Sequence, residues 1–217
     1  MITDRITADA QWLKHEGGTF DIGGVAFAGS SLTPLPSGGL LLSQGGNAAP
    51  GPNNYPCTMW YCPRPIYSKT GCTMPFSFRF GSTAPAAMNA MEVDRMYAMT
   101  CSDGKVRLFP GSTQWVPGIG WMIVNAAGDW VPTGYNPSYL VGKKYHVKIV
   151  HAWDLVNNTM SVVSIDGFAV PAGLQRVAAA VTNWAPGFVN VQLQPSSKPA
   201  GLAWDVTIGR KIDLQWE

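Results

Sequence analysis

The sequence is poor in charge. Of its 217 residues, 13% are charged, which is about half the usual fraction, and the only glutamates are Glu16, Glu92 and Glu217. The net charge is +2, and no run of Lys or Arg occurs. Nucleic-acid-binding domains carry a clustered basic patch or stripe, so this composition argues against nucleic acid as a partner.

Long apolar runs and a signal sequence are also missing. No apolar run approaches the roughly 20 residues that a membrane-spanning helix needs. The N-terminus lacks a basic stretch followed by an apolar one, so no secretory signal peptide is visible. The apolar fraction of 46% is nevertheless too high for a disordered chain.

The cysteines favour disulfides or buried thiols over a zinc site. Cys57, Cys62 and Cys72 lie in a Pro-rich stretch, and Cys101 follows later. Their spacings differ from the C-x-x-C pairs of common zinc sites, and four cysteines allow three disulfide pairings among which the sequence does not choose. Disulfides are typical of extracellular proteins. We therefore expect an extracellular or surface-associated location, although no signal peptide is visible.

The pattern of residues predicts an all-β chain. The 24 glycines and 17 prolines separate short strand-like runs; residues 76–80 alternate Phe with polar residues, and residues 154–160 read as a hairpin turn. Helix-like patterning is confined to residues 8–13 and 174–184. We predict one domain, residues 1–217, folded as an antiparallel two-sheet β-sandwich or jelly roll, with a long irregular insertion at about 44–73.

Two acids stand in the apolar stretch NAMEVDRMYAM, residues 89–99. On a strand, Glu92 and Asp94 share one face with Met96, while Arg95 points to the other face. Residues two apart on a strand are about 6.5–7 Å apart, a distance at which paired carboxyls can flank a glycosidic bond. The alternative is that the acids pair with Arg79 or Arg95, or face solvent.

Several segments, taken in order, resemble the laminarinase and lichenase type of endo-β-glucanase within the concanavalin A-like lectin/glucanase superfamily. The likeness extends from about residue 36 to residue 210. The segments that carry it are residues 36–44, 64–80, 90–96, 144–153, 160–167 and 188–210.

This resemblance implies a glycoside hydrolase-like site in a concave cleft. It places Glu92 at the position of the catalytic nucleophile and Asp94 at that of the central acid, with Arg79 and His146 beside them. Met96 occupies the position of the general acid/base glutamate, and a thioether cannot transfer a proton. The resemblance therefore implies that a polysaccharide is bound without efficient hydrolysis by the family's usual route.

Aromatic and amide side chains are the candidate sugar contacts. Aromatic rings stack on the apolar faces of sugars, and packing in the core is the alternative for each of them. Asn190 and Gln192 share a polar strand face that either binds sugar hydroxyls or meets water. The candidate aromatic platforms in loop-like surroundings are Trp60, Trp115, Trp121 and Trp130.

One metal ligand follows from the resemblance. Asp205 matches a closing-strand aspartate that often ligates a structural Ca²⁺ in the family, and a salt bridge is the alternative. The other oxygen ligands would have to be carbonyls and water. No other cofactor is expected to be required.

The sequence leaves several function classes open. The first is a carbohydrate-active, glycoside hydrolase-like protein that binds and cleaves a polysaccharide. The alternatives are a non-catalytic lectin-like glycan-binding module, a virion or surface structural protein on the same scaffold, and a jelly-roll polysaccharide lyase. A polysaccharide or glycan is the expected partner, with no nucleic acid and no membrane span, and the oligomeric state stays open.

Overall fold

A computed structural model describes most of the chain. The described residues are 1–7, 13–15, 30–37, 39–44, 59–81, 88–177, 181–183, 185–197, 204–209 and 211–217. Within these ranges the regular structure consists of strands, and no helix is long and apolar enough to cross a membrane.

Eighteen strands are described in chain order. They are β1 (Ile2–Thr7), β2 (Leu13–His15), β3 (Ser30–Pro34), β4 (Leu40–Gln44), β5 (Met59–Pro65), β6 (Gly71–Phe80), β7 (Met88–Thr100), β8 (Val106–Pro110), β9 (Thr113–Val116), β10 (Gly120–Val124), β11 (Trp130–Pro132), β12 (Lys144–Asp154), β13 (Thr159–Ile165), β14 (Phe168–Ala169), β15 (Gln175–Val177), β16 (Phe188–Ser197), β17 (Trp204–Ile208) and β18 (Lys211–Trp216).

The strands form two antiparallel sheets. The first sheet has ten strands, in the order β14-β13-β12-β6-β17-β4-β3, with β15 beside β13 and β18 joining β1 to β6. The second has eight strands, in the order β11-β10-β9-β7-β16-β5-β2, with β8 beside β7. The prediction of an all-β, two-sheet antiparallel sandwich is confirmed.

The core lies between the sheets because one side of each strand is apolar. In β6, Phe78 and Phe80 are buried while Arg79 between them is exposed. The Phe80 ring lies 5.3 Å from the Trp115 ring of the second sheet, and the Tyr97 ring lies 4.9 Å from Trp153 of the first. Contacts between inward-facing side chains of this kind hold two sheets face to face.

Three local predictions have different outcomes. The hairpin is confirmed: β12 and β13 join through residues 155–158, and Asn158 takes the left-handed conformation (φ 55°) that Asn tolerates. The helix-like reading of residues 174–184 is wrong for 175–177, which pair with β13. Residues 8–12 lie outside the described residues.

The irregular insertion expected at residues 44–73 is only partly irregular. Residues 59–65 form β5, which pairs with both β16 and β2 inside the second sheet. Residues 71–73 begin β6. Residues 45–58 lie outside the described residues.

Candidate functional site

The two acids of β7 lie on its outer side, as the alternation predicts. Val93 and Arg95 point into the sandwich and are 0% and 1% exposed. Glu92, Asp94 and Met96 point the other way and are half-buried. The outward direction of the acidic pair is therefore set by the burial of its neighbours on the strand.

The carboxyl groups of Glu92 and Asp94 adjoin on this side, close enough for a hydrogen bond between them to shift the pKa of each. Burial raises the pKa of Glu92, and the negative charge of Asp94 raises it further. Burial also raises the pKa of Asp94, while the hydrogen bond with Glu92 lowers it. Two adjacent carboxyls resist double ionisation, so the pair keeps one proton, which we assign to Glu92.

Arg176 is the cation of this site. Its Nη1 donates to Ser112 Oγ at 3.4 Å, and Ser112 is hydrogen-bonded to Asp94. The charge of Arg176 lowers the pKa of both Asp94 and Glu92, although burial outweighs it. Arg176 lies on β15, which pairs with the first sheet, so this residue reaches the acidic pair from the other sheet.

Arg95 is not an ion-pair partner of the acids. It points into the core, where its Nη2 donates to Gly111 O at 2.9 Å and to Thr113 Oγ1 at 3.2 Å. Its charge still favours ionised Asp94, but less than the hydrogen bonds of Glu92 and Ser112 do. The alternative in which Arg95 pairs with the acids is therefore wrong.

One oxygen of the pair has no partner. Asp94 Oδ1 is buried and accepts no hydrogen bond from the part of the chain that the structure describes. Buried acceptors of this kind are uncommon and are usually satisfied by water or a ligand. Within the described residues, this acceptor therefore lacks a donor.

Amide residues flank the acids in the strand register. Gln114 of β9 lies opposite Glu92 and is half-buried. On β16, Gln192 lies opposite Asp94, and Asn190 lies opposite Met96. The side chains of Asn190 and Gln192, like that of Trp60 on β5, lie outside the described residues, so their predicted sugar contacts stay predictions.

Arg79 and His146 do not join this site, and the expectation of one shared cleft is wrong. Arg79 lies on β6 and His146 on β12, both strands of the first sheet. Both side chains are exposed on the outer side of that sheet, where Arg79 lies opposite Lys144. The sandwich separates them from Glu92 and Asp94.

The tryptophan platforms are largely core residues. Trp115 on β9 and Trp121 on β10 are 3% and 0% exposed, and Trp121 Nε1 donates to Tyr139 Oη at 2.9 Å. The prediction that these two stack on sugars is wrong, because both point into the sandwich. Trp130 on β11 is half-buried at the edge of the second sheet, so it stays a candidate.

The proposed calcium ligand lies elsewhere. Asp205 is half-buried on β17, beside Gly81, whose N–H donates to the Asp205 backbone carbonyl at 2.9 Å. No group of three or more His, Cys, Asp or Glu side chains among the described residues is arranged to hold a metal ion. A calcium site at Asp205 therefore stays a prediction.

The described cysteines are buried and unpaired. Cys72 and Cys101 are both free thiols. Burial raises the pKa of Cys72 to about 12, which keeps this thiol protonated. Cys57 and the side chain of Cys62 lie outside the described residues.

Sequence comparison identifies no family. No protein-family model matches the chain, and no curated protein sequence matches it.

Solved structures match the fold at low identity. Lectin I from Ulex europaeus, in complex with the methyl glycoside of α-L-fucose, aligns with a TM-score of 0.51 and 13% identity over 98% of this chain and 96% of that chain. A Bacillus licheniformis β-glucanase aligns at 0.49 and 11% identity, over 98% and 97%. A family 7 alginate lyase, A1-II′, aligns at 0.48 and 10%, over 94% and 95%. The chain has a concanavalin A-like jelly-roll fold.

Proposed function

We propose that this chain is a glycan-binding protein whose binding face is the outer side of the second sheet around Glu92 and Asp94, and that it does not cleave the glycan at this pair. The observation that carries the proposal is the placement of both carboxyls together on this half-buried outer side, where Asp94 Oδ1 has no partner among the described residues. The resemblance of residues 90–96 to a glucanase catalytic strand supports the choice of this face.

The carboxyl pair is poorly suited to glycoside hydrolysis. Retaining glycosidases use one carboxyl as the nucleophile and the other as the proton donor to the leaving oxygen. A retaining nucleophile must also be ionised, and Glu92 holds the shared proton. Met96, four residues beyond Glu92, supplies no third acid.

The same arrangement suits the binding of hydroxyl groups. A sugar hydroxyl both donates and accepts hydrogen bonds, and Asp94 Oδ1 is an acceptor that has no donor among the described residues. Arg176, which donates to Ser112, and Gln114, which lies opposite Glu92, add polar side chains to this site. Because the carboxyls, Ser112 and Arg176 already hold one another in place, binding costs little side-chain entropy.

The fold is compatible with this use. Ulex lectin I, solved with a fucoside, has the same architecture. A fold alone does not assign a function, so the acidic pair carries the proposal. A glycan-binding role also agrees with the extracellular or surface-associated location expected from the sequence.

A glycan array combined with a reducing-sugar assay and an assay for unsaturated products tests the proposal. We expect binding to a subset of glycans with no turnover. Turnover to reducing ends that Asp94→Asn abolishes would establish a hydrolase, unsaturated products would establish a lyase, and neither binding nor turnover would favour a structural scaffold. Each of these three results contradicts the proposal.

Asp94→Asn locates the binding face. The substitution keeps the shape of the side chain but removes the charge and one acceptor, and we expect about tenfold to hundredfold weaker binding, the equivalent of about 1–3 kcal/mol. Asp103→Asn is the matched control, because Asp103 lies in the exposed turn after β7 and pairs with Arg107. Equal binding by both variants would place the glycan elsewhere.

A further inference from the structure

The outer side of the first sheet contains a groove that the proposed function does not use. Strand β6 pairs with β12 throughout its length. On its other side the partner changes: β17 pairs with residues 78–80, and β18 pairs with residues 72–73. Pro75 lies in the interval and has no N–H for a ladder bond. The hydrogen-bond ladder is therefore interrupted along residues 74–77, where Gly209 N donates to Ser77 O at 2.6 Å.

Two adjoining depressions lie along this interruption. One, of about 270 Å³, contains Lys144, His146 and Lys148 in its wall. The other, of about 410 Å³, contains Arg79 and Lys144. Both are also lined by Ser77, so they form one continuous groove with basic side chains along it.

The cations of the groove are available for a ligand. Arg79, Lys144 and Lys148 have no carboxylate within ion-pair distance in the described parts of the chain. The two acids in the groove wall are engaged already.

Asp213 accepts from Arg5 Nε at 2.9 Å, so a cation from β1 already compensates its charge. Asp166 accepts from the Lys148 backbone N–H at 2.7 Å and from Tyr135 Oη at 3.1 Å. The groove therefore presents more positive than negative charge to solvent.

The spacing of the cations is regular. Arg79 and Lys144 are directly opposite each other in an antiparallel pair, which places their Cβ atoms about 4.5–5.5 Å apart. Lys144, His146 and Lys148 follow one another at every second residue of β12, about 6.5–7 Å per step. A linear ligand with an anionic group on each repeat can meet several of these side chains at once.

We propose that this groove binds a linear anionic glycan that carries a carboxylate or sulfate on each sugar. Charge complementarity supports an anionic ligand, and the hydroxyls of Ser77 and Thr207 are suited to the hydroxyls of sugars. Single-stranded nucleic acid is disfavoured, because its binding grooves offer aromatic faces to the bases. The aromatic residues of this groove, Phe76 and Phe78, are 3% and 1% exposed and belong to the core.

Calorimetry with one matched pair of ligands tests the charge requirement. The probes are an oligogalacturonate, which has a carboxylate on each sugar, and the same oligomer fully methyl-esterified. We expect the carboxylated oligomer to bind at least about tenfold more tightly, and added salt to weaken that binding. Failure of the carboxylated oligomer to bind, or equal binding of the ester, would overturn the proposal.

A triple variant tests the location. Arg79→Ser/Lys144→Ser/Lys148→Ser removes three exposed side chains, so the fold should persist, as thermal unfolding will show. Oligogalacturonate binding should fall about tenfold or more. The control Lys69→Ser/Lys105→Ser removes two exposed lysines outside the groove and should bind like the parent. Unchanged binding by the folded triple variant would contradict the assignment.

Two further readouts exclude other occupants of the groove. An oligothymidylate of similar length that binds more tightly than oligogalacturonate would indicate nucleic acid. A change of oligomeric state in the triple variant, seen by light scattering, would indicate a second copy of the chain. Either result would overturn the proposal. Asp94→Asn should leave oligogalacturonate binding intact, so failure of the site at Glu92 and Asp94 is distinguishable from failure here.

Discussion

The two outer faces of the sandwich differ in charge. On the second sheet, Glu92 and Asp94 share a proton beside one cation, Arg176. On the first sheet, Arg79 and Lys144 stand opposite each other without an anionic partner in the described residues. With one proton and one nearby cation the acidic pair is close to neutral, whereas these two cations of the first sheet are uncompensated within the described residues.

This difference shows that the charges on each face are compensated only by groups close to them. Two packed sheets are about 10 Å apart, and side chains that point outward from opposite sheets are farther apart still. This separation exceeds the Debye length, about 8–10 Å at physiological ionic strength, and interactions between exposed charges are largely screened beyond that length. The charges of the basic groove therefore have little effect on the pKa values of Glu92 and Asp94, and the pair keeps a proton instead.

The largest expected effect concerns the core that separates the faces. Trp121→Ala should lower the free energy of unfolding by about 3–5 kcal/mol, because this fully buried ring fills the sandwich and donates to Tyr139. Trp130→Ala, at a half-buried edge position, should cost less. Denaturant unfolding measures both. A stable Trp121→Ala variant that has lost glycan binding would show that this tryptophan is a ligand contact.

The acidic face should make stability depend on pH. Because burial and Asp94 raise the pKa of Glu92 in the folded state, the folded protein binds the proton more tightly than the unfolded chain does. Stability is then lost as pH rises above the unfolded value, about 4.3, toward the raised folded value. Glu92→Gln keeps a neutral donor to Asp94 and cannot ionise.

This variant should therefore match the parent near pH 4 and become more stable than the parent at pH 8. The expected gain is about 1.4 kcal/mol or more, the equivalent of one pKa unit. Denaturant unfolding at both pH values measures it. A difference between variant and parent that stays constant with pH would mean that Glu92 is ionised in the folded protein.

The basic face should give the smallest change in stability. Like charges directly opposite each other in a sheet are destabilising, so Lys144→Glu should raise the free energy of unfolding by about 0.2–1 kcal/mol through its new pairing with Arg79. High salt should reduce the gain. Lys148→Glu is the control, since Lys148 lies opposite Pro75 and gains no such partner. Equal effects of the two variants on the free energy of unfolding would show that the pairing of residue 144 with Arg79 is not responsible.

The fold was predictable because its signal is local. The alternation of Phe78, Arg79 and Phe80 has the period of a strand and gives the buried and exposed sides correctly. The same rule placed Glu92 and Asp94 on the outer side of β7. Both inferences need only neighbouring residues.

The rest of the site depends on pairings that are distant in sequence. Alternation shows that Arg79 and His146 face outward, but it does not show which sheet they belong to. The sequence therefore predicts one cleft for residues that lie on two different faces. Arg176 was missed because it reaches Ser112 from β15, 64 residues along the chain, and its segment looked helical. The sequence predicts loop positions for Trp115 and Trp121 because Pro117 and Gly118 lie between them. In the structure, Pro117 and Gly118 form only a tight turn between β9 and β10.

The central claim is that Glu92 holds the proton of a hydrogen-bonded acidic pair, and the scarcity of glutamate makes it directly measurable. Carbon-13 labelling of glutamate side chains gives three carboxyl signals, from Glu16, Glu92 and Glu217, and the signal missing from Glu92→Gln belongs to Glu92. The account predicts that this signal titrates well above the usual glutamate pKa of about 4.3, and that Asp94→Asn lowers the midpoint by removing the neighbouring charge. A Glu92 midpoint in the usual range, unchanged by Asp94→Asn, would contradict it.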